Sequence, residues 1–229
     1  MPSNPSFRLD HNFIDKQTRY KFIYDNTWDC NLTGVQCEHK VVDQHSGNER
    51  RCKRTSTTTL PYCPQHLIKN YNLQVKRTTL VDAHGDRFNF RGLFACDKTK
   101  GDEIIFKKGD RIVSYIGDVI DAAELNDRYP GDETAPYGMQ SNNKVRSIDA
   151  ACRRGVGALA NMCRTGQGCS NNATVSVSAN HYPHLKATKN IRNGDEIFLS
   201  YGKSYWSAKS IHKNYKTTPN YYNQINHKC

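Results

Sequence analysis

The chain has 229 residues, of which 36% are hydrophobic and 10% are aromatic, and its formal net charge is +11. This composition indicates one folded domain plus a small module and excludes a fully disordered chain. No apolar run approaches membrane-spanning length and the N-terminus shows no signal-peptide core, so we expect no membrane contact and a soluble protein made in the cytosol. The positive charge favours an acidic partner such as nucleic acid as much as it favours simple solubility.

In chain order, residues 1–27 carry few structural signals, and residues 28–68 are rich in Cys and His. From residue 73 onwards, short β-like runs alternate with turns of Gly, Asn and Asp, which predicts a mostly β fold with short α-helices. Strands are predicted at Leu73–Thr78, Gly92–Cys96, Glu103–Phe106, Arg111–Ile120, Val145–Ile148, Ala173–Ala179, His184–Thr188 and Glu196–Ser200. Helices are predicted at Ala122–Tyr129 and Val156–Met162. The residues after Trp206 are predicted to be a mobile tail or a segment that orders on binding.

A zinc site is predicted by four residues in the spacing Cys37-x14-Cys52-x10-Cys63-x2-His66. Thiolate and imidazole are the usual ligands of tetrahedral structural zinc, and the compact Cys63–His66 end lets both side chains reach one ion. Cys30, separated from Cys37 by six intervening residues, is the alternative ligand that could replace Cys37 in this set. Scattered core cysteines are the alternative, but residues 28–68 have too few aliphatic side chains to form a core of their own.

The remaining cysteines give no second metal site. A cytosolic protein meets a reducing environment, in which metal sites are more common than disulfides. Four cysteines nevertheless match no metal-ligand spacing, and we expect buried free thiols at these positions: Cys152, Cys163, Cys169 and Cys229.

Charge is unevenly distributed along the chain. Basic residues surround Cys52, namely Arg50, Arg51, Lys53 and Arg54, and others lie in the C-terminal stretch. Residues 118–133 are acidic by contrast, with Arg128 as their one base. An acidic patch on a basic protein indicates either a basic ligand or a solvated helix face.

The stretch Gly194–Gly202 combines a turn, an apolar run and a terminal tyrosine. Because side chains alternate along a strand, we expect Ile197, Leu199 and Tyr201 on one face, where they can line a narrow pocket that ends in a hydroxyl. Residues 109–117 repeat the pattern and end with Tyr115. Taken alone, each stretch is better explained as an ordinary hairpin strand with a tyrosine in the core.

Four segments follow one another along the chain: first Arg91–Ala95, second Tyr115–Asp118, third Asp149–Ala150 leading to Asn161–Cys163 and Asn171–Ala173, and fourth Gly194–Gly202, with Tyr205 and Trp206 just beyond. In this order they resemble the SET domain, the fold of many protein-lysine methyltransferases, over about residues 73–206. Phe90 stands where the family has the first Gly of its Gly-x-Gly motif. Residues 158–163 keep the Asn, but not the Arg and His, of the family's Arg-Phe-x-Asn-His-Ser-Cys run. The Cys-rich segment that often follows SET domains is absent, apart from Cys229.

The resemblance implies a fold of small twisted sheets with a pseudoknot-like core. The domain organisation would be an N-terminal segment at 1–27, a zinc module at 28–68, the SET domain at 73–206 and a tail at 207–229. The implied activity is S-adenosylmethionine-dependent protein-lysine N-methylation, with a structural Zn²⁺ in the module. The implied substrate is a histone or other basic protein tail, and the implied location is nuclear or chromatin-associated.

The resemblance also implies roles for individual residues. Tyr201 and Tyr115 would be catalytic. The walls of the lysine channel would be Tyr115, Tyr137, Leu199 and Tyr201. The cofactor would be bound by Arg91, Gly92, Leu93, Phe94, Tyr137, Asn161, Met162 and Trp206. Leu199 carries no hydroxyl to hold a water, so we expect room for di- or trimethylation, although a plain core role explains it equally well.

Two other functions remain open at this point. The altered Asn161–Cys163 segment is compatible with an inactive SET-like adaptor that binds histone or DNA. A zinc-dependent nucleic-acid binder with an unrelated β domain is the third possibility, and the basic surface favours contacts with nucleosomal DNA in any of these cases. The Asn-, Lys- and Tyr-rich composition is typical of AT-rich genomes, such as those of some protists or large DNA viruses. The target lysine and the oligomeric state are left open.

Overall fold

The structure is a computed structural model that describes residues 35–56, 62–81, 91–128, 137–140, 146–150, 155–163, 168–177 and 183–201. Short strands dominate these ranges, which confirms the predicted mostly β class. The strands are β1 (Val35–Gln36), β2 (Lys40–Val42), β3 (Glu49–Arg51), β4 (Thr55–Ser56), β5 (Leu73–Arg77), β6 (Arg91–Ala95), β7 (Ile104–Phe106), β8 (Arg111–Ser114), β9 (Asp118–Asp121), β10 (Gly138–Gln140), β11 (Arg146–Asp149), β12 (Ala173–Val177), β13 (Pro183–Ala187) and β14 (Ile191–Arg192). The helices are α1 (Pro64–Tyr71), α2 (Ala122–Arg128) and a 3-10 helix (Val156–Leu159). None of these described helices is long and apolar enough to cross a membrane.

The N-terminal part of the described chain consists of two antiparallel ribbons. β1 pairs with β4, and β2 pairs with β3. The β2–β3 turn is closed by the Asp43 carboxylate, which accepts hydrogen bonds of 3.0 Å from the backbone N–H groups of His45 and Ser46. Two-stranded ribbons of this size are marginally stable on their own. Their stability must therefore come from the residues that join them.

The helix α1 connects these ribbons to the rest of the fold. It begins with Pro64, whose missing N–H costs no hydrogen bond in the first turn. It ends before Asn72, which adopts the left-handed conformation with φ 54° and donates its N–H to the Ile68 carbonyl at 2.9 Å. Leu67 and Ile68 are buried, so the apolar face of the helix packs inward and the chain continues directly into β5.

Small sheets surround one apolar cluster, which we call the main core. β5 pairs with β6, β7 with β14, β13 with both β8 and β12, and β11 with both β9 and β10, always antiparallel. Fully buried members of the main core come from five different segments: Leu73, Leu93, Leu185, Ile191 and Ile197. No sheet in the described ranges exceeds three strands, so the core is enclosed by several sheets rather than by one broad sheet face.

The segment 194–201 lies at the centre of this arrangement, but it is not the regular strand predicted at Glu196–Ser200. Its successive backbone groups bond to different elements. The N–H of Ile197 donates to the Leu93 carbonyl at 2.7 Å, and the N–H of Leu199 donates to the Asn161 carbonyl at 2.7 Å. The N–H of Ala173, in β12, donates to the Phe198 carbonyl at 3.0 Å. The segment is therefore threaded between three parts of the chain, which gives the fold a knot-like centre.

The predicted alternation of side chains along this segment is confirmed. Ile197 and Leu199 lie in the main core and Tyr201 packs against it, whereas Phe198 joins a separate cluster with Leu80 and Cys163. The segment thus has apolar surroundings on both sides, which explains why its three consecutive apolar residues are all buried.

The strand predicted at Arg111–Ile120 is in fact two strands in different sheets. β8 pairs with β13, and β9 pairs with β11. The chain changes sheets at Gly117, where a Cβ atom would lie 2.3 Å from the Asp149 carbonyl oxygen. Only glycine allows two backbones to approach so closely, and this contact interrupts the run of strand-forming residues.

The expectation of free thiols at Cys163 and Cys169 is wrong, because these two residues form a disulfide with an S–S distance of 1.95 Å. Cys96 is also disulfide-bonded. Asn171 helps to fold the short loop between Cys163 and Cys169, since its Oδ1 accepts the backbone N–H of Cys163 at 2.9 Å. This brings the two Cα atoms to 5.8 Å, within the range of a disulfide. Cys152 and Cys229 lie outside the described residues.

Candidate functional site

The four predicted zinc ligands converge at one point. Cys37 follows β1, Cys52 follows β3, Cys63 directly precedes α1, and His66 lies in the first turn of that helix. Their ligand atoms all lie within 4.8 Å of one another. His66 Nδ1 is 3.3 Å from the Cys37 Sγ and 3.4 Å from the Cys63 Sγ. Three thiols and one imidazole match the ligand set of a closed tetrahedral zinc site. Cys30, the suggested substitute, lies outside the described residues.

The surroundings of the cluster affect the protonation of its members. Burial lowers the pKa of His66, and electrostatic interactions with His39, Lys69 and Arg54 lower it further. Burial opposes ionisation of the Cys37 thiol, but hydrogen bonds from the Cys63 and His39 backbones outweigh it and lower the pKa. Burial raises the pKa of Cys63. A neutral imidazole and a thiol that ionises readily are the forms that bind metal.

Residues around the cluster hold its ligands in place. The His39 ring stacks on the His66 ring with 3.8 Å between centroids. The Arg51 guanidinium donates to the carbonyls of Cys37, at 3.1 Å, and Gln36, at 2.7 Å. The Gln36 amide in turn donates to the Cys52 carbonyl at 3.0 Å. Outer contacts of this kind fix the orientation of metal ligands.

The predicted catalytic tyrosines lie in the SET-like part of the chain, and each donates its hydroxyl proton to a backbone carbonyl. The Tyr201 hydroxyl donates to Ala160 at 3.1 Å, and the Tyr115 hydroxyl donates to Tyr137 at 2.9 Å. Tyr115 and Leu199 are buried in the main core, and Tyr137 and Tyr201 pack against it, partly exposed. The structure therefore brings all four predicted channel residues to the same apolar cluster.

The predicted cofactor residues lie along β6 and the segment after the 3-10 helix. Leu93 and Phe94 are fully buried, whereas Arg91 and Asn161 are half-buried. Asn161 connects the two segments, because its Nδ2 donates to the Arg91 carbonyl at 3.0 Å. Met162 is half-buried beside it. Trp206 lies outside the described residues.

Sequence reasoning missed one member of this region, the buried carboxylate of Glu196. Its Oε1 accepts the Thr78 hydroxyl at 2.7 Å and Asn161 Nδ2 at 3.1 Å. Its Oε2 accepts the Thr79 backbone N–H at 2.7 Å and the Thr79 hydroxyl at 2.5 Å. Burial raises the pKa of Glu196, against the opposing effect of these hydrogen bonds. The one hint in the sequence is an acidic residue directly before three apolar residues that become buried.

Gly92 is explained by the same carboxylate. A Cβ atom at this position would lie 2.1 Å from Glu196 Oε1 and 2.8 Å from its Cδ. The glycine therefore provides the space that the Glu196 side chain fills. Gly92, Asn161 and Glu196 form one connected group behind the Arg91 end of β6.

Comparison with known proteins gives a family match for part of the chain. Residues 91–202 match the model of the SET domain family. The search of curated proteins gave no match. Among solved structures, the methyltransferase domain of human PR domain-containing protein 2 is similar with 17% identity and a TM-score of 0.42, covering 70% of this chain and 96% of that one. An active polycomb repressive complex 2 in the basal state is similar with 22% identity and a TM-score of 0.41, covering 57% of this chain.

The second similarity spans only 15% of the chain in that complex. The family match, in contrast, spans every predicted catalytic and cofactor residue except Trp206. It also encloses the threaded segment 194–201 and the group formed by the hydrogen-bonded pair Asn161 and Glu196 with Gly92 packed against the carboxylate. Residues 91–202, about half of the chain, therefore match the SET domain family, whose members are generally protein-lysine methyltransferases.

Proposed function

We propose that the chain is an S-adenosylmethionine-dependent protein-lysine N-methyltransferase that acts on a histone or another basic protein tail. The observation that carries the proposal is the placement of Tyr201, Tyr115 and Leu199 at one apolar cluster inside the matched domain. Tyr201 also bonds to Ala160, the residue next to Asn161, so the proposed channel and the proposed cofactor contact adjoin each other.

The residues present fit S-adenosylmethionine. Its amino-acid end carries an ammonium group, for which a carboxamide oxygen is a suitable acceptor. Asn161 offers this oxygen, because its Nδ2 is occupied by protein acceptors. The other residues proposed to hold the cofactor are Arg91, Gly92, Leu93, Phe94, Tyr137, Met162 and Trp206. When bound, the cofactor supplies an electrophilic methyl group on a sulfonium.

The tyrosines would orient the substrate amine. The hydroxyls of Tyr201 and Tyr115 donate their protons to backbone carbonyls, and a hydroxyl oxygen that donates in this way also has lone pairs with which to accept an N–H group from a lysine. A neutral amine held by its N–H groups directs its lone pair elsewhere, which is what an in-line displacement needs. The apolar residues around the hydroxyls disfavour the ammonium form and lower the pKa of the entering lysine.

A basic substrate fits the edge formed by β9 and α2. Within the described ranges β9 is an edge strand, paired with β11 on one side. Asp121 and Glu124 are exposed there, Asp118 is half-buried, and the Val119 side chain is 52% exposed. Carboxylates on a strand edge attract a Lys- and Arg-rich tail and can hold it in an extended form. We propose this edge as the docking surface for the substrate.

The zinc module would act as a structural support and as a second contact with chromatin. The Cys37, Cys52, Cys63 and His66 cluster is compatible with one Zn²⁺. Arg50, Lys53 and Arg54 are exposed beside it and could contact nucleosomal DNA. A histone substrate implies a nuclear or chromatin-associated location.

The test is a methylation assay on core histones and nucleosomes with wild type and Tyr201→Phe. We expect Tyr201→Phe to lower kcat by about a hundredfold or more, because the substrate amine loses an orienting acceptor. Tyr71→Phe is the matched control, because Tyr71 also packs against the main core, where its ring contacts Tyr62, but it is not among the predicted site residues. Equal activity of wild type and Tyr201→Phe would contradict the role of Tyr201. Binding of histone without any binding of S-adenosylmethionine in calorimetry would favour the adaptor function instead.

Product analysis tests the proposed role of Leu199. Its side chain is buried and has no hydroxyl, so it leaves room for a methylated amine. We expect di- or trimethyllysine from the wild type and from Leu199→Met, a change that nearly conserves volume. Leu199→Tyr should shift the product toward monomethyllysine. Mass spectrometry that finds only monomethyllysine from saturating wild-type enzyme would contradict this proposal.

A further inference from the structure

Glu196 has no role in the proposed chemistry, yet it is among the most buried charged residues of the described chain, at 2% exposure. Burying a carboxylate is costly unless hydrogen bonds replace its hydration. Here four donors from Thr78, Thr79 and Asn161 surround it. An apolar residue would avoid this cost, so the carboxylate calls for an explanation beyond packing.

The effect of the Glu196 carboxylate is seen in the orientation of the Asn161 carboxamide. Its Nδ2 contacts Arg91 O at 3.0 Å, Glu196 Oε1 at 3.1 Å and Thr78 Oγ1 at 3.3 Å. The NH2 end of the amide is therefore directed into the protein. No hydrogen bond to Oδ1 is found among the described residues, so the opposite end of the same amide is available to a ligand.

We propose that Glu196 is a positioning residue, which fixes the Asn161 carboxamide so that its Oδ1 accepts a hydrogen bond from the ammonium at the amino-acid end of S-adenosylmethionine. This inference rests on the proposed function. Glu196 acts through Asn161 and does not touch the cofactor. The glycine at residue 92 is part of the same arrangement, since it leaves the space that the carboxylate needs.

The test compares two ligands by calorimetry with the full chain. S-adenosylhomocysteine carries the amino-acid end, whereas 5′-methylthioadenosine lacks it. In Glu196→Gln the side chain has one carbonyl oxygen and one NH2 group in place of two carboxylate oxygens. The Thr79 backbone N–H cannot move and takes the carbonyl oxygen as its acceptor. The glutamine NH2 group then faces the NH2 group of Asn161, and two donors cannot form a hydrogen bond. We expect the Kd for S-adenosylhomocysteine to rise about tenfold or more, with the Kd for 5′-methylthioadenosine unchanged. A purely structural role would weaken both ligands alike.

Two further variants separate positioning from general stability. Thr79→Val removes a hydroxyl from Glu196 Oε2 but leaves the Asn161 contact on Oε1, so both Kd values should stay at the wild-type level. In an Asn161→Ala background, Glu196→Gln should cause no further loss of affinity for S-adenosylhomocysteine, because the carboxamide through which Glu196 acts has been removed. If Glu196→Gln does not fold, Thr78→Val takes its place, since it removes the hydroxyl that contacts both side chains.

The outcomes distinguish this inference from the function on which it rests. Failure of the wild type to bind either ligand would overturn the proposed function and this inference with it. Wild-type binding together with an unchanged Kd for S-adenosylhomocysteine in Glu196→Gln would overturn only the positioning role. The same holds if the affinity for both ligands falls equally, or if the loss persists in the Asn161→Ala background.

Discussion

Gly92 and Glu196 depend on each other, because the carboxylate occupies the space that any larger side chain at residue 92 would need. The glutamate cannot easily move aside, since its oxygens hold both Thr79 groups, the Thr78 hydroxyl and the Asn161 amide. A change at Gly92 must therefore either break these hydrogen bonds or displace β6.

We expect Gly92→Ala to lower the free energy of unfolding by about 1–3 kcal/mol, the usual cost of overpacking a rigid interior. Gly101→Ala is the matched control, because a Cβ atom there meets nothing within 4 Å. It should change stability by less than about 0.5 kcal/mol. Urea unfolding of both variants gives the measurement, and equal stability of the two would show that the Glu196 side chain yields without cost.

Residue types in the motifs predict Tyr115, Asn161 and Tyr201 as site candidates, because their order along the chain is distinctive. Glu196 could not be found in this way. Its partners Thr78 and Thr79 lie 118 and 117 positions away and belong to no motif, and only the folded chain places them beside the carboxylate. The sequence shows the types of residue at a site better than the contacts that hold them.

At the scale of elements, local patterns predict β5, β6, β12 and β13 to within about two residues at each end, which is usual for strand boundaries. The failures occur where tertiary contacts override the local pattern. Gly117 redirects the chain against Asp149, and the residues of segment 194–201 bond to several elements in turn. The predicted helix at Val156–Met162 is a 3-10 helix that ends at Leu159, and Asn161 beyond it is bonded to β6.

The stability of the two ribbons, β1 with β4 and β2 with β3, should depend on an ion bound at the Cys/His cluster. Their buried apolar cluster consists of Cys37, Cys52 and Cys63, with Val41 and Tyr62 packed against it. Without an ion to bind these thiols, little remains to hold the ribbons together. We therefore expect a chelator to unfold this region, which native-state proteolysis with and without the chelator would detect as new cleavage between residues 36 and 62.

A pair of histidine variants identifies the ligand set. His66→Ala should weaken zinc binding by more than about a hundredfold, whereas His39→Ala, which removes only the stacked ring, should weaken it by less. Competition with a chromogenic chelator measures both affinities. Equal losses in the two variants would contradict the assignment of His66 as the fourth ligand.

At the scale of the whole molecule, the net charge of +11 should matter most where the basic side chains are exposed together. Replacing Arg50, Lys53 and Arg54 with Gln should weaken binding to nucleosomes. The slope of the logarithm of the binding constant against the logarithm of the salt concentration should become shallower by roughly one unit per charge removed. The matched control carries the same charge change on exposed residues elsewhere, at Lys98, Lys107 and Lys108. Equal effects of the two triple variants would indicate attraction by overall charge rather than a defined DNA contact.

The threaded segment 194–201 has a consequence for the order in which the protein can fold. It supplies hydrogen-bond partners to β6, to Asn161 and to β12, and its glutamate binds groups 117 and 118 residues earlier in the chain. Closing such long loops is entropically costly and slow. During synthesis, the proposed cofactor site therefore cannot assemble until residue 201 has left the ribosome. The strands that contribute to the site have by then already been synthesised. A chaperone or a ribosome-bound factor would meet this domain with its core open for most of its synthesis.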